Sequence, residues 1–251
     1  RGGPVPMTPG GGWEDPPVDA ALALHVSNEF RAGQIGVASG AIHAAADTIK
    51  IAVRGIGGHA AYPHAAVDAT LVAAQILVAL QSIVSREIDP LDAAVITLGS
   101  LHAGTASNVI PDTAVMEGTV RTYSPVRDHI ERRIGEVAAG VAAALRAEAD
   151  VTYLRGYPAM RNDPELAALV RTVAGELLGP ANVHERAPSM AGEDLAFIAD
   201  RVPTCMFNLG VANLERGIVY PPHHPRFSAD EEALAVGVRV MATAALHYLN
   251  G

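Results

Sequence analysis

Between residues 47 and 157 the apolar pattern switches repeatedly between strand and helix period, and that order limits the fold more than any other feature. Residues 47–54 alternate: Ile49, Ile51 and Val53 point one way, and Thr48, Lys50, Ala52 and Arg54 the other, as in a half-buried strand. Residues 68–85 place Val72, Ile76 and Leu80 at four-residue spacing, which predicts an amphipathic helix. Residues 93–101 and 112–123 read as strands. Ser124-Pro125 supplies an N-cap with proline at the first helical position, and Ile130, Ile134, Val137, Val141 and Leu145 follow as one stripe. Residues 150–157 form a last strand. The order β-α-β-β-α-β predicts a ferredoxin-like split βαβ unit, an antiparallel sheet with both helices on one face. Its other face needs water or a partner, so a pairing surface is expected there.

The flanks read differently. Residues 18–26 are an apolar run ending near His25, which predicts a buried strand with His25 at its carboxyl end, where ligands collect in open α/β sheets. Residues 164–178 read as a helix stopped by Gly179-Pro180, and residues 203–210 as an apolar strand. Residues 219–227 form a loop holding His223 and His224. Ser228 and Glu231 form a capping box that opens a final helix with Leu234, Val238, Met241 and Ala245 inward. This alternation predicts one α/β body into which the split βαβ unit is inserted. Residues 1–17 are a Gly/Pro-rich loop.

Composition narrows the function classes. A net charge of −9 and a pI near 5.5 argue against a nucleic-acid partner. Cys205 is the single cysteine, so neither an intrachain disulfide nor a thiolate zinc cluster can form, which fits a reducing, cytoplasmic setting. It reads as a small core residue. The apolar run over residues 69–85 is short for a membrane span and carries Gln75, Gln81 and Ser82, so it reads as a core helix.

The chemistry concentrates in few places. Residues 54–64, RGIGGHAAYPH, pack three glycines, His59 and His64 into one loop. Glycine permits close backbone approach, and histidine can donate a hydrogen bond, move a proton or bind a metal. His25, His59, His64, His223 and His224 all fall at expected strand ends or in loops, and Glu193-Asp194 is an acidic pair in a glycine-flanked loop. Spacing alone leaves a metal site an open question. Glu193-Asp194 could equally cap the helix that follows. Asn108 either caps its own turn or faces a ligand. Arg121 shares a strand face with Val115 and Thr119, and either pairs with Glu117 or presents its fork to a carboxylate.

Taken together, ALHV at 23–26, RGIGGHAAYPH at 54–64 with Asp68, the segment 83–112 ending in SNVIPD, EGTVRT at 117–122, SMAGEDLAF at 189–197 and PHHPRF at 222–227 resemble the metal-dependent aminoacylase/carboxypeptidase-type metallopeptidases. The resemblance is to their amidohydrolase subgroup, which includes hippurate hydrolases and indole-acetyl-amino-acid hydrolases. It implies an α/β catalytic domain, residues 1–44 and 158–251, interrupted by a ferredoxin-like dimerisation domain, residues 45–157. It implies a homodimer and two divalent metal ions (Zn, Mn, Co or Ni) that serve hydrolysis of N-acyl amino acids. His25 and His223 match metal ligands. His59 matches a histidine that crosses to the neighbouring subunit and stabilises an oxyanion. Asn108 and Arg121 match a pair that binds the substrate carboxylate, both expected from the neighbour. Glu193 and Asp194 match a loop beside the pocket. His64 is expected to fix its loop against Asp68.

The family's Cys-x-His pair or its equivalent, and its Glu-Glu pair, have no counterpart in these residues; the expectation is a chain that begins just after them and is inactive alone. The rival expectation is a non-catalytic dimerisation module, which would form a stable dimer without tight metal.

Overall fold

A computed structural model describes residues 16–123 and 125–250; residues 1–15 of the loop expected over residues 1–17, and the Ser124 cap, lie outside the described residues. Three strands come first: β1 (Ala21–Arg31), β2 (Ile35–Gly36) and β3 (Gly40–His43). Then follow β4 (Ala45–Arg54), β5 (Gly58–His59), α1 (Ala69–Glu87), β6 (Ala94–Ala103), β7 (Val109–Ile110), β8 (Thr113–Thr122), α2 (Arg127–Ala144) and β9 (Glu148–Tyr157). The chain closes with β10 (Met160–Asn162), α3 (Pro164–Leu178), β11 (Val183–His184), α4 (Ala196–Ala199), β12 (Thr204–Ala212) and α5 (Glu232–Asn250). Two compact units result. One holds the described residues up to His43, Met160–Ser189 and those from Asp194 onward; the other holds Ala44–Ala159 and Met190–Glu193.

In the second unit the sheet order is β6-β8-β4-β9, with every neighbouring pair antiparallel. Ile49, Ile51 and Val53 face α1 and α2 and are wholly buried, with Ile76, Leu80 and Ile134 from the helices. Each such side chain contributes roughly 1.5–3 kcal/mol by leaving water. Asp68 caps α1 by accepting from Thr70 N–H at 2.9 Å and from Leu71 N–H, so this carboxylate serves the helix and not His64. The His64 ring instead meets Tyr62 edge-on at 6.3 Å. On α2 the deepest stripe is Ile130, Ile134, Ala138 and Ala142, with Val137, Val141 and Leu145 flanking it. The expected stripe continued from Ile134 through Val137 and Val141, whereas the helix seats Ala138 and Ala142 there.

Asp47 anchors this unit. Its side chain is fully buried and accepts from Arg127 Nε at 2.9 Å, from the Tyr153 hydroxyl at 2.7 Å and from Gly156 N–H at 2.9 Å. Burial pushes the carboxyl up, but those donors outweigh it and hold it below its ordinary value. The capture of Gly156 falls where the β4–β9 register shifts, between Ala46 and Thr48, and it sets Tyr157 opposite Ala46.

In the first unit the sheet order is β1-β12-β2-β11. β1 runs parallel to β12, pairing His25 with Asn208, and the pairing stays regular to Ser27 before it shifts. The strand therefore extends past the expected end at residue 26, and His25 lies inside it. One face of β12, with Cys205, Phe207 and Leu209, packs on α3 and α5; Met206, on the other face, meets Met160 and Ala196. Burial pushes the Cys205 thiol up to about 12, with Asp163 adding to it. α5 is turned one residue from expectation: Ala233, Gly237, Val240 and Ala244 are buried, whereas Leu234 and Val238 are 47% and 69% exposed. A Cβ on Gly237 would stand 2.8 Å from Leu209, so the small residues set how closely this helix meets the sheet. Its first turn is held by Asp230, which accepts from Glu232 N–H at 3.2 Å and from Asn213 and Arg216, and not by Ser228.

Candidate active site

The glycine-rich loop after β4 is fastened at both ends. Gly55 N–H donates to Asp112 O at 2.7 Å, and Ile56 and Val67 exchange two bonds of 2.9 Å. A Cβ on Gly55 would lie 2.1 Å from Val67 O, so only glycine fits. β5 then pairs with β7, His59 opposite Val109, and Ala60 N–H donates to Asn108 O at 3.0 Å. His59 and Asn108 thereby line one open cleft of about 570 Å³, together with Gly57, Thr105 and Asp112. The Asn108 side chain is exposed and makes no hydrogen bond among the described residues, so it does not cap its own turn.

Ala61 N–H donates to Nδ1 of His59 at 3.1 Å. Nδ1 therefore carries no proton, and the ring is a neutral tautomer with N–H at Nε2. The His59 ring also lies 5.5 Å from that of Tyr62. This is an imidazole set to donate one hydrogen bond from an exposed position.

Arg121 stands elsewhere. It is the second-last residue of β8, opposite Ala46 on β4 and Val95 on β6, on the sheet face away from the helices. Thr113 begins the strand, so about 26 Å of strand separates the Asn108 end from Arg121. Glu117 pairs with Lys50 at 3.0 Å, and the Arg121 guanidinium makes no ion pair or hydrogen bond among the described residues. Gly192 lies beside it: a Cβ there would meet Ala46 Cβ at 2.7 Å, Tyr157 at 3.1 Å and Arg121 Nη1 at 3.2 Å. Asn108 and Arg121 therefore stand towards opposite ends of β8.

Of the acidic pair, Glu193 belongs to the second unit and Asp194 to the first. α4 is capped at Leu195 without a side-chain bond, so Asp194 is not its cap.

His25 is exposed, and its Nδ1 lies 2.7 Å from Val26 O. A carbonyl only accepts, so Nδ1 holds a proton, and in the neutral ring Nε2 then carries the lone pair that a metal ligand needs. Asn208 lies alongside, donating to His25 O at 3.4 Å, with its Oδ1 buried and unpartnered; nothing in its local sequence marks it. His223 is exposed at φ 68°, in the left-handed region, which costs a non-glycine residue about 1–2 kcal/mol. Both histidines fit as individual metal donors. Among the described residues no group of three or more His, Cys, Asp or Glu could hold a metal ion.

Comparisons with known proteins agree on one lineage. The chain is 38% identical over 218 residues to the N-acetyl-L-cysteine deacetylase of Bacillus subtilis, covering 86% of this chain and 51% of that protein. It is 38% identical over 223 residues to the N-acetyldiaminopimelate deacetylase of Streptococcus thermophilus, covering 88% and 57%. The crystal structure of Bacillus subtilis YXEP protein, described as a dinuclear metal binding peptidase, superposes with a TM-score of 0.77 at 29% identity, covering 93% of this chain and 58% of that one. The chain thus spans a little over half the length of these relatives. Residues 1–247 match peptidase family M20/M25/M40, and the chain belongs to that family.

Proposed function

We propose that the protein hydrolyses the amide bond of N-acyl amino acids, using two divalent metal ions. Family membership and relatives named as deacetylases of N-acetylated amino acids support the reaction class. The observation that carries the reading is His59, held by Ala61 N–H as a neutral Nε2 donor in an open cleft with Asn108. Such a donor stabilises the oxyanion that forms when an amide carbonyl is attacked. His25 and His223 would hold metal through ring nitrogens. When bound, the metal ions supply Lewis-acid polarisation of the carbonyl and activation of water. Arg121, half-buried and without a partner among the described residues, would take the substrate carboxylate through its fork.

With Asn108 and Arg121 towards opposite ends of β8, His59 and Asn108 would reach a substrate from one copy and Arg121 from the other. This favours a homodimer through the inserted unit. Glu193 and Asp194 are proposed as pocket-side groups.

The test is turnover of N-acetyl and N-benzoyl amino acids by the full-length protein, before and after chelation and readdition of zinc or manganese. Activity indifferent to chelation overturns the reading.

A further inference from the structure

The loop that carries His223 has neither helix nor strand to hold it, yet His223 keeps a left-handed backbone, φ 68°. Such a conformation persists only where its surroundings fix it. The side chains that follow it converge on one aromatic ring. The His224 ring stacks on Tyr220 with centroids 4.4 Å apart and planes 15° from parallel. The Arg226 guanidinium carbon lies 4.0 Å from the centroid of the same Tyr220 ring, a cation–π contact. Arg226 N–H donates to His224 Nδ1 at 3.0 Å, His224 N–H to Pro221 O at 3.2 Å, and Phe227 N–H to His224 O at 2.9 Å. The residues next to His223 are thus fastened to Tyr220, while the His223 ring itself makes no hydrogen bond among the described residues. The Tyr220 hydroxyl makes none either, so its ring alone forms the clamp.

We propose that Tyr220 is a positioning residue: its ring, gripping His224 and Arg226, holds residues 221–226 in the turn that presents His223 to a metal ion. This rests on the reading of His223 as a metal donor. Neither Tyr220 nor Arg226 touches the metal in this arrangement. The clamp determines how firmly the ion is kept and leaves the choice of ion to the ligands.

The experiment compares Tyr220→Phe, Tyr220→Leu and His223→Ala in the full-length protein. Bound zinc is measured by mass spectrometry during a chelator challenge, and amide hydrogen exchange is measured over residues 221–227, with β12 as a control for the fold. Tyr220→Leu is expected to lose zinc about tenfold faster than the parent, as removal of a supporting group around a ligand does, and to exchange faster in that loop only. Tyr220→Phe keeps the ring and is expected to match the parent in both readouts. Should Tyr220→Leu not fold, the double variant His224→Ser, Arg226→Met removes both partners of the ring and carries the same expectation. If the ring-breaking variant keeps zinc like the parent while His223→Ala loses it, the clamp is overturned and the donor reading stands. If His223→Ala keeps its zinc, the donor reading falls, and the clamp's role with it.

Discussion

Ala61 N–H donates to Nδ1 of His59 across 3.1 Å, and this one backbone bond decides which nitrogen of the ring carries the proton. An imidazole so held presents Nε2–H outward and cannot use Nδ1 as a base. His59→Ala in the full-length protein is therefore expected to lower kcat about 10²–10³-fold, as loss of one oxyanion donor does. Metal content measured on the same preparation should be unchanged. Loss of metal would show that His59 is a ligand.

The length of β8 gives a complementation test. Copies carrying His59→Ala and copies carrying Arg121→Met should each be inactive alone. Co-expressed, the mixed dimer holds one site with both an intact His59 and an intact Arg121, and activity should return. If both residues reached a site from the same copy, no site in the mixed dimer would be complete.

Gly192 tests the setting of Arg121. Gly192→Ala would place a Cβ 2.7 Å from Ala46 Cβ and 3.2 Å from Arg121 Nη1, so the guanidinium or the loop must move. KM for carboxylate substrates is expected to rise roughly tenfold, the scale of a displaced positioning group, with kcat nearly unchanged. Gly99→Ala, where a Cβ meets nothing within 4 Å, is the matched control and should be silent.

Asp47 predicts an acid dependence of stability. Its carboxyl is held below the ordinary 3.8, so the folded state binds its proton less readily than the unfolded chain. The stabilisation is complete above about pH 5 and is lost as pH falls through 3.8 towards the lower folded-state value. Asp47→Asn leaves the Arg127 guanidinium without its counter-charge and should cost about 3 kcal/mol at pH 7. Chemical denaturation at several pH values should show that gap shrinking on acidification.

How much of this was legible in the sequence differs from element to element. The alternation of Ile49, Ile51 and Val53 settled β4, because a strand has a fixed period and a single buried face. Gly179-Pro180 marks the stop of α3, whose ends, Pro164 and Leu178, fell where they were expected. Burial within helices was less legible: α5 seats Ala233, Gly237 and Ala244 against the sheet, and a rule that sends bulk inward misplaces it by one residue. The Gly-Gly-His loop marked a candidate site through its composition. Three features were not read from the sequence and appear only in the folded chain. The first is the proton on Nε2 of His59, set by a backbone amide two residues on. The second is the separation of Asn108 from Arg121 by the length of β8, which thirteen residues of sequence do not reveal until the strand is straight. The third is the grip of Tyr220 on His224 and Arg226. Periodicity determines which elements form, because it acts between near neighbours; which groups meet depends on how those elements pack, and that is a property of the folded chain.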